Sequence, residues 1–326
     1  MTRIAIIGCG AALEFVHRSA IDRLRRSGSL EIVAVVDPDA SMRARASQWF
    51  EPALPCQNLA DALEKNITGV MVLSPPASHV EAILEALSYG MDVFCEKPLA
   101  EGFAATSSLM ENPECRRVSV GMIRRQFDTS SFLRSNLNSL IDVSDFRIQY
   151  SEGGPYRWPI VSELSFRRDT GGVGVILDTG IHTLDLLTWI FGPADLRLES
   201  TDETSVTVAR NASLNLEFAG GTASIQLSWT DPLPPGLRVE SRQGSVWVPP
   251  GALSVVFHRS KGEKQWRKLS AGNITGPSWL GYRQPRCSNS QSAALLQLSE
   301  FLGPSRGRLA SVEEAAAVLE MLDRNS

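Results

Sequence analysis

The first 120 residues alternate short apolar runs with helical segments, and this alternation constrains the fold more than any other feature of the chain. Repeated strand, helix and strand units form a parallel sheet with helices on both faces. Near-continuous apolar runs such as IAII and VMVL are typical of strands that are buried on both faces. The pattern predicts a doubly wound α/β domain over residues 1–120, with six strands at Arg3–Ile7, Glu31–Val36, Leu54–Cys56, Gly69–Leu73, Asp92–Cys95 and Arg117–Val120.

The pattern changes after Val120. Between Leu196 and Arg267, apolar and polar residues alternate, as in an antiparallel sheet with one face exposed or covered by a partner. We therefore predict a second domain over residues 121–326, of α+β class, with a large, mostly antiparallel open sheet. Its apolar positions need cover on at least one face, which predicts a homodimer or homotetramer assembled through this sheet; examples are Leu214, Leu216, Ile225 and Leu227.

Charge and composition exclude several classes of protein. The chain carries 36 acidic and 32 basic residues, so no net field attracts a polyanion and we expect no nucleic-acid partner. It has no apolar run of roughly 18 residues that could span a bilayer, so we expect a cytoplasmic protein without a membrane partner. The five cysteines form no C-x-x-C pair and the four histidines have no ligand spacing, which predicts reduced thiols and no metal site.

Gly8 and Gly10 directly follow the first strand and precede a helical segment. In a dinucleotide-binding Rossmann fold, the first glycine permits a tight turn and the second lets a pyrophosphate approach the backbone. Helix amides, here those of Ala11 and Ala12, lie beside it. Leu13 stands where the fingerprint has a third glycine, which predicts a helix that stands slightly further from the strand. The alternative interpretation is a strand-to-helix turn that merely tolerates glycine.

Asp37 follows the second strand, at the position where a carboxylate accepts hydrogen bonds from the adenosine ribose. The same carboxylate repels a 2′-phosphate, so the predicted cofactor is NAD in preference to NADP. Arg43 lies six residues downstream, where it could assist a phosphate. In the alternative interpretation, Asp37, Pro38 and Asp39 only initiate the next helix.

Two further strand ends lie at the same edge of the predicted sheet. Ser74 and Pro75 lead into a helix whose amides can meet the cofactor, and His79 either joins them or is an ordinary polar residue of the first turn. Glu96 and Lys97 follow the fifth strand. An ammonium there can stabilise a developing alkoxide, while Glu96 fixes the lysine or contacts the cofactor. Both Glu96 and Lys97 are predicted cofactor contacts. Solvated loop charges are the alternative interpretation.

Asp178, His182 and Asp185 recur at helical spacing within the segment GGVGVILDTGIHTLD. On a helix these residues lie on one face, and a carboxylate one turn from an imidazole orients the ring and stabilises its charged form. Taken alone, the spacing also fits a helical ion pair on a protein surface.

Five motifs occur together and in order: GCG, SPPASH, EKP at residues 96–98, VGMIRRQF, and GGVGVILDTGIHTLD. With them the chain resembles the glucose-fructose oxidoreductase, inositol dehydrogenase and rhizopine-catabolism family of NAD(P)-dependent oxidoreductases. The resemblance implies that Lys97 and His182 flank the reacting carbon of a sugar-like secondary alcohol, with Asp178 orienting substrate or imidazole. His182 then removes the hydroxyl proton as a hydride leaves that carbon. The resemblance also implies a sheet that pairs with another subunit and a cis peptide before Pro98.

Substrate contacts are predicted in the long segment that follows residue 150 and, for Arg125, directly after the sixth strand. Tyr156 and Trp158 can stack on sugar faces, and Arg125 and Arg168 can bind hydroxyls, carboxylates or phosphates. The two aromatic residues are equally compatible with core anchors of a long loop. Two other functions stay open, namely a cofactor-binding partner subunit or sensor without turnover, and glycoside cleavage with tightly held NAD.

Overall fold

The computed structural model describes residues 1–154, 174–233, 236–249, 254–271, 290–304 and 306–325. These residues form two compact units. The first contains Met1–Ile123 and residues 290–320 of the described C-terminal part, and the second contains most of the chain from Arg124 to Ala271. The division differs from the predicted domains 1–120 and 121–326, because residues 290–320 belong to the first unit.

The sheet of the first unit has six strands: Thr2–Ile7 (β1), Leu30–Val36 (β2), Leu54–Cys56 (β3), Gly69–Val72 (β4), Asp92–Cys95 (β5) and Val118–Val120 (β6). Their order is β3-β2-β1-β4-β5-β6, and every neighbouring pair of these strands is parallel. This order confirms the predicted doubly wound Rossmann fold. The direction of winding reverses between β1 and β4, where such sheets bind ligands at the carboxyl ends of their strands.

The described residues contain eight α-helices: Arg18–Arg26 (α1), Ala40–Trp49 (α2), His79–Ser88 (α3), Ser107–Met110 (α4), Asp128–Leu140 (α5), Ile181–Phe191 (α6), Ser290–Leu302 (α7) and Val312–Asp323 (α8). Helices α5 and α6 belong to the second unit. Two π-helical turns, Ala12–His17 and Ile176–Gly180, lead directly into α1 and α6. Short 3₁₀ segments occupy Leu59–Lys65, Pro76–Ser78, Phe103–Thr106, Cys115–Arg117 and Ile123–Gln126.

The core of the first unit joins residues from both ends of the chain. Ile4 of β1 and Phe94 of β5 are fully buried in one apolar cluster with Leu298 and Phe301 of α7. The rings of Phe94 and Phe301 have centroids 5.8 Å apart. The C-terminal helix α7 therefore completes the hydrophobic core of the N-terminal sheet.

The sheet of the second unit has eight strands: Phe146–Gly153 (β7), Ala194–Thr201 (β8), Asn211–Phe218 (β9), Gly221–Ser228 (β10), Gly236–Ser241 (β11), Gly244–Val248 (β12), Val255–Ser260 (β13) and Arg267–Ser270 (β14). Their order is β14-β13-β12-β11-β7-β10-β9-β8. Strands β7 and β10 pair in parallel, and the other described pairs are antiparallel. This confirms the predicted mostly antiparallel sheet in an α+β unit.

One face of this second sheet is apolar and is covered within the chain. The four leucine and isoleucine side chains predicted to need cover are at most 2% exposed. Phe191 of α6 packs on Phe146 of this face, with ring centroids 5.3 Å apart. The apolar strands are therefore covered without a second subunit, and the homodimer or homotetramer stays a prediction from the resemblance. The opposite face carries polar side chains, including Arg147, Gln149, Thr222, Ser224 and Gln226.

Within the ranges that the structure describes, no helix combines the length and the apolar character needed to cross a membrane. The same ranges bring no three His, Cys, Asp or Glu side chains into an arrangement that could hold a metal ion.

Candidate functional site

A cavity of about 910 Å³ opens at the carboxyl ends of β1, β2 and β4 in the first unit. Its volume lies in the range of small-molecule and cofactor sites. Six of the predicted cofactor residues line it, namely Gly8, Gly10, Ala11, Asp37, Ser74 and Pro75. The other predicted contacts lie outside this lining; they are Ala12, His79, Glu96 and Lys97.

The lack of a side chain matters at Gly8 and at Gly10 for different physical reasons. Gly8 has a φ of +91°, and a Cβ at this position meets the Ser74 backbone nitrogen at 2.4 Å, so only glycine fits. A Cβ at Gly10 meets no atom of the described protein within 4 Å. The space beside Gly10 is therefore part of the cavity, which fits the close approach of a pyrophosphate to the backbone.

The π-helical turn Ala12–His17 connects the turn at Gly8 and Gly10, called the glycine turn below, to α1. Its i→i+5 hydrogen bonding gives a wider turn than an α-helix. Leu13, which replaces the third glycine, is fully buried in the same core as Ile4 and Phe94. The Leu13 side chain thus packs in the core of the first unit, and the predicted outward displacement of the helix stays a prediction.

The backbone fixes the Asp37 carboxylate at the cavity wall. The Cys9 N–H donates to Oδ2 at 2.8 Å, and the Asp39 N–H donates to Oδ1 at 2.9 Å. Each carboxylate oxygen can accept a further hydrogen bond, so Asp37 is oriented in advance for hydroxyl donors. Arg43 Nη1 donates to the carbonyl oxygens of Asp37 and Pro38, at 2.6 and 2.9 Å, which anchors this guanidinium to the turn.

Three further carboxylates line the cavity, those of Asp39, Glu81 and Glu85. Glu81 and Glu85 lie one turn apart on α3, and burial together with the charge of Glu81 raises the pKa of Glu85. This pair was not predicted from the sequence, although its i, i+4 spacing after SPP is a readable signal. With Asp37, these groups make the cavity wall electronegative.

His79 is buried between two loops of the first unit. Its Nδ1 lies 2.8 Å from the Pro98 carbonyl oxygen, and its Nε2 lies 2.7 Å from the Ser74 carbonyl oxygen. Burial lowers the pKa of the imidazole, although the two carbonyls oppose this change. The ring therefore ties together the loops that follow β4 and β5. His79 does not line the cavity, so its predicted contact with a cofactor is not supported by this placement, whereas Ser74 and Pro75 do line it.

Glu96 and Lys97 lie on the loop after β5. The Lys97 backbone N–H donates to Glu96 Oε2 at 3.0 Å, and Glu96 Oε1 lies 2.6 Å from Nε2 of His17, a residue that the sequence analysis missed. Burial alone raises the pKa of Glu96, but the hydrogen bond to His17 and the charges of His17 and Lys97 bring it below its usual value. Glu96 is thus a largely buried carboxylate, with 14% of its side chain exposed, that stays ionised. The peptide between Lys97 and Pro98 is cis, as the resemblance implies.

Asp178 and His182 lie on consecutive turns of the second unit. Asp178 belongs to the π-helical turn before α6 and His182 to α6 itself, and both side chains are partly exposed. Asp185, the third residue of the predicted face, is instead buried in a salt bridge with Arg125, with 2.5 Å between Oδ1 and Nη2. This geometry favours a structural role for Arg125 over its predicted contact with substrate.

Arg124 forms a polar cluster with residues of β7 and α6. Its Nη1 donates to Glu152 Oε2 at 2.6 Å and to Tyr150 Oη at 2.7 Å, while its Nη2 donates to Glu152 Oε1 at 2.8 Å. Thr183, the neighbour of His182, places its hydroxyl 3.3 Å from Arg124 Nη1. Tyr150 and Glu152 were not predicted from the sequence, although their i, i+2 spacing on a strand places them on one face.

The remaining predicted substrate residues lie outside the described ranges, so their contacts stay predictions; they are Tyr156, Trp158 and Arg168.

Two models of known protein families match the chain. Residues 2–122 match an oxidoreductase family with an NAD-binding Rossmann fold, and residues 140–247 match the GFO/IDH/MocA C-terminal domain. The chain belongs to the GFO/IDH/MocA family. The resemblance carried by the five sequence motifs is thereby confirmed, and the two matches fall in the two units of this GFO/IDH/MocA protein.

The individual relatives share little sequence identity with this chain. An inositol 2-dehydrogenase of Corynebacterium glutamicum is 26% identical over 202 residues, which cover 60% of this chain. The chain spans little more than half of that relative, 56% of its length. An inositol 2-dehydrogenase of Acidothermus cellulolyticus is 25% identical over 335 residues and is matched over 90% of this chain and 92% of its own length. A solved levoglucosan dehydrogenase, in complex with NADH and levoglucosan, shares the fold with a TM-score of 0.75 at 14% identity, over 100% of this chain and 98% of its own.

Proposed function

We propose that this GFO/IDH/MocA protein is an NAD-dependent oxidoreductase acting on a secondary alcohol of a sugar, a cyclitol or a related compound. The cavity at Gly8, Gly10 and Asp37 carries the proposal. It combines two glycines in its lining with a carboxylate held by backbone hydrogen bonds, and it lies where the winding of the sheet reverses. When bound, NAD supplies the carbon that accepts or returns a hydride. The names of the relatives, inositol 2-dehydrogenase and levoglucosan dehydrogenase, support a polyol-like substrate.

In this proposal, Lys97 and His182 act on the substrate oxygen. A ring nitrogen of His182 takes the hydroxyl proton, and the Lys97 ammonium stabilises the resulting alkoxide oxygen. Asp178, one turn before His182, orients the imidazole or the substrate. The polar cluster around Arg124 contains hydrogen-bond donors and acceptors that suit the other hydroxyl groups of a sugar-like substrate.

A preference for NAD over NADP follows from the charge of the cavity wall. The carboxylates of Asp37, Asp39, Glu81 and Glu85 line it, and a 2′-phosphate adds negative charge beside them. Because like charges repel, we expect NADH to bind at least about tenfold more tightly than NADPH. Energy transfer from the seven tryptophans of the chain to the reduced nicotinamide measures both affinities.

Asp37→Ser is expected to reduce this preference to below about threefold. Asp195→Ser, which removes an exposed acid of β8, is the matched control and should preserve the preference for NADH.

Tighter binding of NADPH by the wild type would contradict the proposal and move the adenosine contact to Arg43. Micromolar NADH binding without hydride transfer to or from any polyol or keto sugar would favour the partner subunit or sensor. Copurifying cofactor without net release of NADH would favour glycoside cleavage.

The two glycines of the cavity provide a second, matched pair of variants. Gly8→Ala is expected to destabilise the first unit by about 1–3 kcal/mol, because its methyl group meets the Ser74 backbone at a strained φ. Gly10→Ala is expected to leave thermal unfolding unchanged but to weaken NADH binding at least about tenfold, because its methyl group occupies the space of the ligand. Equal NADH affinity in Gly10→Ala and the wild type would refute the placement of the pyrophosphate.

A further inference from the structure

His17 ends the π-helical turn that follows the glycine turn, and its side chain is fully buried. Its Nε2 lies 2.6 Å from Glu96 Oε1, and its ring meets Phe94 edge-on with centroids 5.6 Å apart. Its Nδ1 has no hydrogen-bond partner among the described residues. In the described structure, the hydrogen bonding of this buried imidazole is therefore directed at Glu96.

Glu96 links His17 to the main chain of Lys97. The carboxylate oxygen that does not meet His17, Oε2, accepts the Lys97 backbone N–H at 3.0 Å. Charge-assisted hydrogen bonds at both oxygens leave the carboxylate one orientation. The main chain of Lys97 is thereby fixed to the turn Ala12–His17, which begins two residues after the cavity-lining Gly10.

We propose that His17 and Glu96 form a positioning pair that fixes Lys97 and ties its loop to the helix that begins at the glycine turn. This inference rests on the proposed function, in which Lys97 acts on the substrate oxygen. Neither member of the pair needs to touch the substrate, because both act through the place and the charge environment of the Lys97 ammonium. A misplacement of about 1 Å at a reacting group can cost about 10²-fold in rate.

The effect of losing His17 on the pKa of Glu96 depends on the titratable groups that interact with Glu96. They are His17 from the π-helical turn, Lys97 and Cys95 beside Glu96 on the chain, and His79 from α3. With His17 present, the pKa of Glu96 stays below its usual value despite burial. Without the His17 donor, burial raises the pKa, so Glu96 takes up a proton at a higher pH and Lys97 loses the neighbouring anion.

The test compares His17→Leu with His17→Gln, which keeps an N–H donor near the position of Nε2. His258→Leu is the matched control, since His258 is a partly buried histidine of the second unit whose Nε2 faces the Leu140 carbonyl oxygen at 3.0 Å. The chain has only five lysines, so the signal of ¹³C-dimethylated Lys97 can be assigned with Lys97→Arg. NMR then follows this signal from about pH 3 to 8 without cofactor or substrate.

The acid inflection of the Lys97 signal reports the ionisation of Glu96. We expect it to move up by about one pH unit in His17→Leu, and by less than about 0.3 unit in His17→Gln and in His258→Leu. An inflection at the wild-type pH in His17→Leu overturns the proposal. If His17→Leu does not fold, Glu96→Gln takes its place: the inflection should disappear from the folded variant, and its persistence overturns the proposal.

Kinetics provide the second readout. The kcat of His17→Leu is expected to fall about 10- to 100-fold while the KM for NAD changes less than about threefold, and His17→Gln should recover most of the loss. A kcat of His17→Leu within about twofold of the wild type overturns the proposal. Because the NMR titration needs no turnover, the two failures are distinguishable. A shifted inflection in a protein without dehydrogenase activity overturns only the proposed function, whereas an unshifted one in an active enzyme overturns only the positioning pair.

Discussion

Replacing Lys97 by methionine is expected to lower kcat for alcohol oxidation about 10³-fold and to leave NADH affinity within about threefold of the wild type. Methionine keeps an unbranched apolar stem but cannot stabilise an alkoxide or relay its proton. Lys97 lies outside the lining of the dinucleotide cavity, so cofactor binding should survive the change. The absorbance of reduced nicotinamide measures turnover, and the fluorescence titration measures affinity.

Lys65→Met is the matched control for this experiment. Lys65 is an exposed lysine of the same unit, at the end of the segment Leu59–Lys65, and its replacement should change neither kcat nor NADH affinity. A Lys97→Met enzyme that retains more than about a tenth of the wild-type kcat would remove Lys97 from the chemistry. The cofactor assignment would stand in that case, because it depends on the glycine turn and Asp37.

The fold of the first unit could be predicted because its signals are local. Each strand from β1 to β6 is a short apolar run, and the helices between these runs require parallel pairing. Gly8, Gly10 and Asp37 could be placed together for the same reason, since the ends of β1 and β2 lie at one edge of the sheet.

The features that sequence analysis missed depend on contacts between distant parts of the chain. The apolar pattern of α7 predicts a helix but not the sheet that it covers, and only the structure shows Phe301 against Phe94. Glu96 has the pattern of a loop charge until His17, 79 positions earlier, is found beside it. A six-residue π-helical turn is too short for its apolar period to differ visibly from that of an α-helix.

The second large effect is expected on stability, where Asp185→Leu should destabilise the second unit by about 3–5 kcal/mol. Oxygens of Asp185 lie 2.5 to 3.1 Å from Arg125 nitrogens, and the side chains of Arg125 and Asp185 are 3% and 1% exposed. Removing the carboxylate leaves a buried guanidinium, near the ring of Trp189, without the charge that offsets its desolvation. Urea unfolding followed by tryptophan fluorescence should show a lower midpoint.

The double variant Arg125→Met with Asp185→Leu separates the charge of this pair from its packing. Both charges are removed and the apolar volume is largely kept, so stability should return to within about 1 kcal/mol of the wild type or exceed it. The same protein tests the predicted substrate contact of Arg125. Because the guanidinium is bound to Asp185 in the structure, the KM for substrate should change less than about threefold. A much higher KM in a double variant of wild-type stability would return Arg125 to the substrate site, since packing and charge balance would then be intact and only a lost contact could explain it.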